Sequence, residues 1–396
     1  MRILVVSDLY PPVAFGGYES ETAALVDGLR ERHEVHVLTS DRDAPEPVEG
    51  IERALPYVGS RRREAIMAPV KAGRATRIAR DQLARFQPDV AYVANSVAIP
   101  QSAPLAVAAT GIPVVYRFSE LFMASTLYSA DRYLRTLVPG QPGVHALWSA
   151  LTRLANRRLA LDPAAHHRAA ISWASNALRE RVTLPPSIEP ELERTIYPAS
   201  TQEEVFATVA RRPAGERSFL FLGRMTSAKG IEVAHHALAK LEDARLVTVG
   251  TATPPMRARL DALARELGVA ERVDNRGRIS TEELAEVLAT VGAIILPTVE
   301  WDVFPLVLIE AGIARVPIVA SRIGGVPEAL EDGTQALLVQ PGDADELAAA
   351  LARTFDDPAA ADERAERAHA RMRELSVARY REESERLIVD TAAALG

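Results

Sequence analysis

The sequence predicts an α/β protein of two doubly wound, Rossmann-like domains facing each other across a cleft. A chain of 396 residues exceeds what one ordinary hydrophobic core accommodates. Short apolar runs alternate with segments of helical period through both halves, the pattern of β-α units built on parallel sheets. Between the halves lies PASTQEEVFATVARRPAGERS, a polar, proline-containing stretch with no strong period, which reads as a linker. The expected division is 1–198 for the first domain, 199–216 for the linker and 217–376 for the second. The helical, charged tail 377–396 is expected to pack back on the first domain.

The strands are read from the apolar runs in chain order. In the first half these are 2–7 (RILVVS), 34–39 (EVHVLT), 89–94 (DVAYVA), 113–118 (PVVYRF), 170–173 (AISW) and 195–197 (TIY). In the second they are 218–222 (SFLFL), 245–249 (RLVTV), 293–296 (AIIL), 317–320 (PIVA) and 336–339 (ALLV). No short repeat or low-complexity tract interrupts them beyond an enrichment in Ala and Arg.

Composition narrows the function classes. The chain is 48% hydrophobic and 25% charged, as in ordinary soluble proteins. A formal net charge of −7 argues against a general nucleic-acid binder, which needs a basic surface. The absence of Cys excludes disulfides, thiolate nucleophiles and Cys-ligated metals. MRILVVSDLYPP has too short an apolar core for a signal peptide and reads as a first strand. No apolar run approaches a membrane span, so the expected location is cytoplasmic. Basic residues are almost all Arg, and the lysines are Lys71, Lys229 and Lys240 alone.

The stretch 297–330, PTVEWDVFPLVLIEAGIARVPIVASRIGGVPEAL, is the most informative. It gives a strand end, an acidic loop, a short helix opened by Pro305 and carrying Glu310, a buried strand and a turn at Gly324-Gly325. An open helix N-terminus suits phosphate, and a carboxylate one turn in can accept both hydroxyls of a ribose. A crossover helix with a solvated Glu fits the same residues.

FLFLGRMTSAKG reads as strand, turn, helix, with Thr226 or Ser227 as cap. Lys229 then falls in the first helical turn, where the macrodipole disfavours a cation unless an anion is bound. Arg224 as a fork and Lys229 as a point charge suit a diphosphate without a metal. An exposed first-turn Lys with no ligand is the plainer alternative. Gly16-Gly17 before a helix lets backbone approach a ligand, or simply makes a tight turn. It is not a G-x-G-x-x-G fingerprint, and a Walker motif is absent, which disfavours NAD enzymes and P-loop NTPases. Gly277, Arg278 and Ile279 precede a Ser280 N-cap and offer backbone groups to a base, or only a capped helix.

Metal and triad chemistry find little support. The adjacent pairs His166-His167 and His235-His236 point about 100° apart on a helix and do not chelate together. Asp41-Arg42-Asp43 resembles the acidic triplet of metal-dependent sugar transferases but sits in a polar, proline-rich loop. No G-x-S-x-G is present. Residues 61–85 carry Arg61, Arg62, Arg63, Lys71, Arg74, Arg77, Arg80 and Arg85 against Glu64 and Asp81. That run reads either as a solvated helix face or as peripheral contact with an anionic membrane.

Taken in order, YPPVAFGGYE, SNALRERV, GRMTSAKG, RGRIS, the stretch 297–330 and GGVPEALEDGTQALLVQPGDADELAAAL resemble the family-4 retaining glycosyltransferases (glycosyl transferases group 1) of the GT-B fold. The resemblance covers essentially the whole chain. It implies that Gly16 and Gly17 lie near the donor diphosphate and the acceptor, that Gly223 belongs to the donor site, and that Arg224 and Lys229 serve the phosphates. It places Arg278 and Ile279 at the base, the backbone of Phe304, Pro305 and Leu306 at sugar and phosphate, and Glu310 on the ribose. Glu310 is the second Glu of the family's Glu-x₇-Glu motif. Two positions depart from the pattern. Asp302 replaces the first Glu, which contacts the donor sugar, with Glu300 as a fallback. Ser119-Glu120 stands where the family often has His-Asp, and Ser cannot carry a proton as imidazole does.

The implied activity is a retaining, metal-independent transfer from a nucleotide-sugar, with a UDP-sugar favoured, to a hydroxyl of a small molecule or natural product. Arg224, Lys229 and Asp302 are its expected catalytic residues, with no cofactor and no nucleic acid. Tyr116, Phe118, Phe122, Tyr128, Tyr133 and Trp148 concentrate between two strands, as an acceptor pocket or as core. The alternatives are a lipid- or polysaccharide-directed transferase at a membrane surface, a nucleotide-sugar epimerase, and a catalytically silent GT-B partner.

Overall fold

The computed structural model describes residues 1–13, 16–43, 47–58, 68–121, 142–162, 165–210 and 217–396. They form two compact units, Met1–Tyr197 with Ala378–Gly396, and Pro198–Val377.

Among its described residues the first unit runs β1 (Arg2–Val6), α1 (Gly17–Arg30), β2 (Glu34–Ser40), β3 (Ile51–Leu55), α2 (Ala68–Phe86) and β4 (Val90–Val93). It continues through α3 (Ser102–Ala108), β5 (Val114–Phe118), α4 (Pro142–Arg158), β6 (His167–Trp173), α5 (Asn176–Arg181) and β7 (Ile188–Thr195). The strands make one parallel sheet in the order β3-β2-β1-β4-β5-β6-β7. β1 is central because its apolar run is covered on both faces: Ile3, Leu4, Val5 and Val6 are fully buried. The C-terminal helix Val377–Leu395 contributes Tyr380, Leu387 and Ile388 to this core. Its Arg381 donates through Nε to the Ala24 carbonyl at 2.6 Å.

A buried ion pair ties β5 to α1. Arg117 donates to Glu21 at 2.7 Å, to the Ile196 carbonyl at 2.6 Å and to Ser172 at 3.1 Å. Burial works against the guanidinium charge, and the Glu21 carboxylate outweighs it, so the pKa lies above the usual Arg value. The Tyr380 ring stands 5.4 Å away.

The second unit opens with α6 (Glu203–Ala207) and then alternates strands and helices: β8 (Ser218–Leu222), α7 (Ile231–Ala239), β9 (Arg245–Val249), α8 (Pro254–Glu266), β10 (Val273–Gly277), α9 (Thr281–Thr290) and β11 (Ala293–Leu296). α10 (Leu306–Ile313), β12 (Ile318–Ser321), α11 (Val326–Ala329), β13 (Leu337–Val339), α12 (Ala344–Asp356) and α13 (Pro358–Arg373) complete it. The parallel sheet runs β10-β9-β8-β11-β12-β13. Phe219, Ile231, Leu246, Ile295, Val319 and Leu351 anchor its core. The order reverses between β8 and β11, and in the first unit between β1 and β4. Loops leaving the carboxyl ends of such strands open a crevice for ligands.

Three strands differ from the sequence reading. β3 and β10 were not expected, and the strand expected at 195–197 lies at Ile188–Thr195. Of the basic run, 68–85 falls on α2, and its beginning lies outside the described residues. Phe122, Tyr128 and Tyr133 lie outside them too, as does the side chain of Trp148.

Candidate active site

The second unit concentrates the donor candidates at its switch point. β8 ends in Gly223 at φ +136°, followed by an exposed Arg224 that has no ion-pair partner among the described residues. A Cβ at Gly250 would lie 1.9 Å from the Gly223 carbonyl oxygen, so the exits of β8 and β9 touch backbone to backbone. The expected helical first turn is instead a 3₁₀ turn, Ser227–Lys229, and α7 starts only at Ile231. Neither hydroxyl caps it: Thr226 makes no side-chain cap bond, and Ser227 donates to Glu232 at 2.7 Å.

This turn is fixed to the loop after β11. The Ala228 carbonyl accepts from the Thr298 hydroxyl at 3.0 Å and from the N–H groups of Val299 and Glu300 at 2.9 and 3.2 Å. Gly230, at φ +72°, presses so closely on β11's exit that a Cβ would stand 1.8 Å from the Pro297 carbonyl oxygen. The outcome is an ion pair between the Lys229 ammonium and the Asp302 carboxylate, two groups 73 residues apart. Lys229 remains one-third exposed and Asp302 is largely buried.

The Gly324-Gly325 turn holds Asp302 from the other side. Cβ atoms at these glycines would lie 1.9 Å from the carbonyl oxygens of Asp302 and Val303, and the Gly325 N–H donates to Asp302 at 3.0 Å. Glycine is needed here for approach. Phe304 is buried, Pro305 is the residue before α10, and Leu306 opens that helix with its N-terminal N–H groups unclaimed by a side-chain cap. Glu310 lies one turn further. Burial pushes its carboxyl up to about 7, and a hydrogen bond from Ser200 Oγ at 3.5 Å pulls against that rise. Ser200 was not singled out in the sequence; a hydroxyl in a polar linker gives no signal of its own.

Arg278 and Ile279 follow β10 at the sheet's edge, two strands from β8, where Gly277 turns at φ +66°. The capping box expected at Ser280 is present, with Glu283 as its partner.

The remaining candidates belong to the first unit. Gly16 precedes α1 in extended geometry, its N–H donating to Glu19 at 3.1 Å, and Gly17 is the first helical residue. Ser119 is buried at the exit of β5, and Glu120 follows it. Burial raises the Glu120 carboxyl to about 7, the Asp8 and Glu19 charges add to the rise, and a hydrogen bond from Asn95 opposes it. Asp8 is pushed up to about 6, chiefly by burial, against N–H bonds from Ala98 at 3.0 Å and Leu9 at 2.8 Å. Asp8, Glu19 and Asn95 escaped the sequence reading, although Asp8 and Asn95 each stand just past an apolar run, where such fold positions gather. Asp8 and Glu120, both raised toward neutrality, can hold a proton there and donate or accept hydrogen bonds with hydroxyls.

Other sequence candidates resolve as structure. Asp41 accepts from the Tyr57 N–H at 3.1 Å and pairs with Arg74 at 3.2 Å, while Asp43 pairs with Arg42 at 3.2 Å. Tyr116 is buried with its hydroxyl 3.0 Å from His167, and Phe118 packs on Trp173 at 4.9 Å, so both rings serve the core.

Residues 15–180 match the family model described as Glycosyltransferase Family 4, and residues 203–373 match Glycosyl transferases group 1. D-inositol 3-phosphate glycosyltransferase from Mycobacterium marinum is 31% identical over 41% of this chain and 35% of its own length, so the match spans about a third of that relative. Glycogen synthase from Mycobacterium tuberculosis is 26% identical over 94% of this chain and 90% of its own. Among solved structures, sucrose-phosphate synthase from Thermosynechococcus elongatus superposes at a TM-score of 0.74 with 20% identity, covering 99% of both chains. HepE from Anabaena, solved with UDP-glucose, gives 0.70 with 17% identity over 98% of this chain and 100% of its own. The first model spans Gly16, Gly17, Ser119 and Glu120, and the second spans Arg224, Lys229, Asp302 and Glu310. With both sheets and both halves of the motif set accounted for, the chain belongs to the family-4 glycosyltransferases of the GT-B fold.

Proposed function

We propose that this protein moves a sugar from a nucleoside diphosphate donor, a UDP-sugar by preference, to a hydroxyl of a small-molecule acceptor, with retention and without a metal. The observation that carries this reading is the Lys229–Asp302 ion pair beside the exposed Arg224, at the switch point of the second unit. The pair offers one cation to the departing diphosphate and one carboxylate to sugar hydroxyls. Arg224 supplies a second, forked cation, so the leaving charge is met by side chains alone. Glu310 accepts from the ribose hydroxyls. The bond from anomeric carbon to phosphate oxygen breaks, the acceptor oxygen bonds to that carbon on the same face, and the acceptor proton passes to the leaving phosphate oxygen. No imidazole is required, which accommodates Ser119. The UDP-glucose bound by HepE supports the donor, and an inositol phosphate in the name of the Mycobacterium marinum relative supports a small acceptor.

Lys229→Ala is expected to lower donor turnover by about 10²-fold or more while the circular dichroism spectrum stays unchanged. A wild-type rate overturns the assignment. A second reading, a lipid acceptor at a membrane surface, draws on exposed Arg74, Arg77 and Arg85 of α2 and exposed Leu147, Leu151 and Leu154 of α4. Salt-sensitive co-sedimentation with vesicles rich in anionic phospholipid would favour it; failure to pellet keeps the small acceptor.

A further inference from the structure

The second unit contains a cavity of about 270 Å³ between α7, α8 and the β9–β10 edge of the sheet. None of Arg224, Lys229, Arg278, Asp302 and Glu310 lines it. Its interior holds polar groups that the protein leaves unanswered. Thr248 on β9 is 2% exposed, and its hydroxyl has no partner among the described residues. His235 on α7 is also 2% exposed and donates through Nδ1 to the Ile231 carbonyl at 2.8 Å, which leaves Nε2 as a free acceptor. Burial lowers the pKa of this ring and keeps it neutral. Asn275 spends its carbonyl oxygen on the Gly277 N–H at 3.1 Å and keeps its amide NH₂. Arg257 is half-buried with no carboxylate partner among the described residues, and its guanidinium donates to the Met225 sulfur at 4.0 Å. On the rim, Arg265 donates to the backbone of Asp261 at 3.1 Å, so two cations stand there against one carboxylate.

Neither the Thr248 hydroxyl nor the His235 Nε2 is sealed from solvent, so both are open to a polar occupant of the cavity they line. We infer that this cavity binds a small anionic sugar derivative, a sugar phosphate or a sugar acid, at a site separate from the donor. Arg257 provides the planar fork that phosphate and carboxylate share. Thr248, His235 and Asn275 offer a hydroxyl, an acceptor and a donor to ring hydroxyls, and Met225 with Leu260 supplies an apolar wall for the ring's C–H face. Met225 directly follows Arg224, and its N–H donates to the Thr251 carbonyl at 2.8 Å, so an occupant bears on the loop that carries a donor-phosphate cation.

Thermal-shift measurements on the full chain test this with glucose 6-phosphate, glucuronate, inorganic phosphate and UDP as probes. Glucose 6-phosphate or glucuronate is expected to raise Tm by about 2 °C or more in a concentration-dependent way. Which of the two acts identifies the anion. Arg257→Met and Thr248→Val should each lose that rise and keep the shift given by UDP. Arg257→Met, a half-buried position on a helix, keeps the test valid if the core substitution does not fold. The inference is overturned if neither sugar anion shifts Tm, or if inorganic phosphate alone does as much. It is equally overturned if both variants respond as wild type, or if saturating UDP abolishes the response, which would place the ligand in the donor site.

Discussion

Glu310 shows how much of a role a single environment sets. Its carboxyl is held near 7 because burial penalises the charged form, and only Ser200 opposes that penalty. In the proposed role of accepting two ribose hydroxyls Glu310 must be ionised, so nucleotide affinity should fall as pH drops through about 7. The stability consequence has the opposite sense. A carboxyl whose folded pKa is raised favours folding below its unfolded value near 4.5, and that contribution is lost as pH rises through about 7. Glu310→Gln should therefore bind UDP more weakly at pH 8 with a flat pH profile, by calorimetric titration. Its Tm should exceed that of wild type at pH 8 and converge with it near pH 4. An unchanged pH dependence of UDP binding would remove Glu310 from the ribose. The sequence made this residue legible because a carboxylate after a proline-opened turn is a local pattern. Its partner Ser200, and the meeting of Lys229 with Asp302 across 73 residues, are products of tertiary folding that no local pattern carries.

At the scale of elements, the site depends on backbones in direct contact. Gly230 combines a left-handed φ of +72° with a projected Cβ only 1.8 Å from the Pro297 carbonyl oxygen. Gly268 has a similar φ of +68° but open space around it. Gly268→Ala should lose about 1–2 kcal/mol, the strain of an L-residue in that region. Gly230→Ala should lose more, because the turn bearing Lys229 must also shift away from β11, and its donor turnover should fall in parallel. Equal Tm losses with unaltered turnover would show that this contact does not position Lys229. The same scale explains what the sequence concealed in the fold. β3 (IERAL), β7 (IEPELERT) and β10 (VDNRG) are the three misread strands, and each is at an edge of its sheet. Central strands are covered on both faces and read as continuous apolar runs, whereas edge strands carry charge that protects unpaired backbone groups. The interior strands of both sheets were legible for that reason, and so was the edge strand β13 (LLV), whose run is apolar and buried; the three charged edges were not.

For the whole molecule, the C-terminal helix decides whether the first unit is a complete fold. Tyr380, Leu387 and Ile388 are buried in that unit, and Arg381 donates to α1. Glu385 meets Arg32 and His33, and Asp390 meets Arg194, so the helix reaches both α1's end and the edge strand β7. Burying Leu387 and Ile388 alone is worth about 1.5–3 kcal/mol each. Together with Tyr380 this rivals the entire net stability of an ordinary domain, about 5–15 kcal/mol. Loss of the helix would also strip the ring from beside Arg117, whose buried charge then depends on Glu21 alone for an ionic partner among the described residues. A chain ending at residue 377 should therefore fail to give a cooperatively folded first unit, as seen by limited proteolysis that cleaves within 1–197 and spares 198–377. Leu387→Ala in the full chain should lower stability by about 2–5 kcal/mol in denaturant titration. A truncated chain with native protease resistance across 1–197 would show that the parallel sheet holds together without the returning helix.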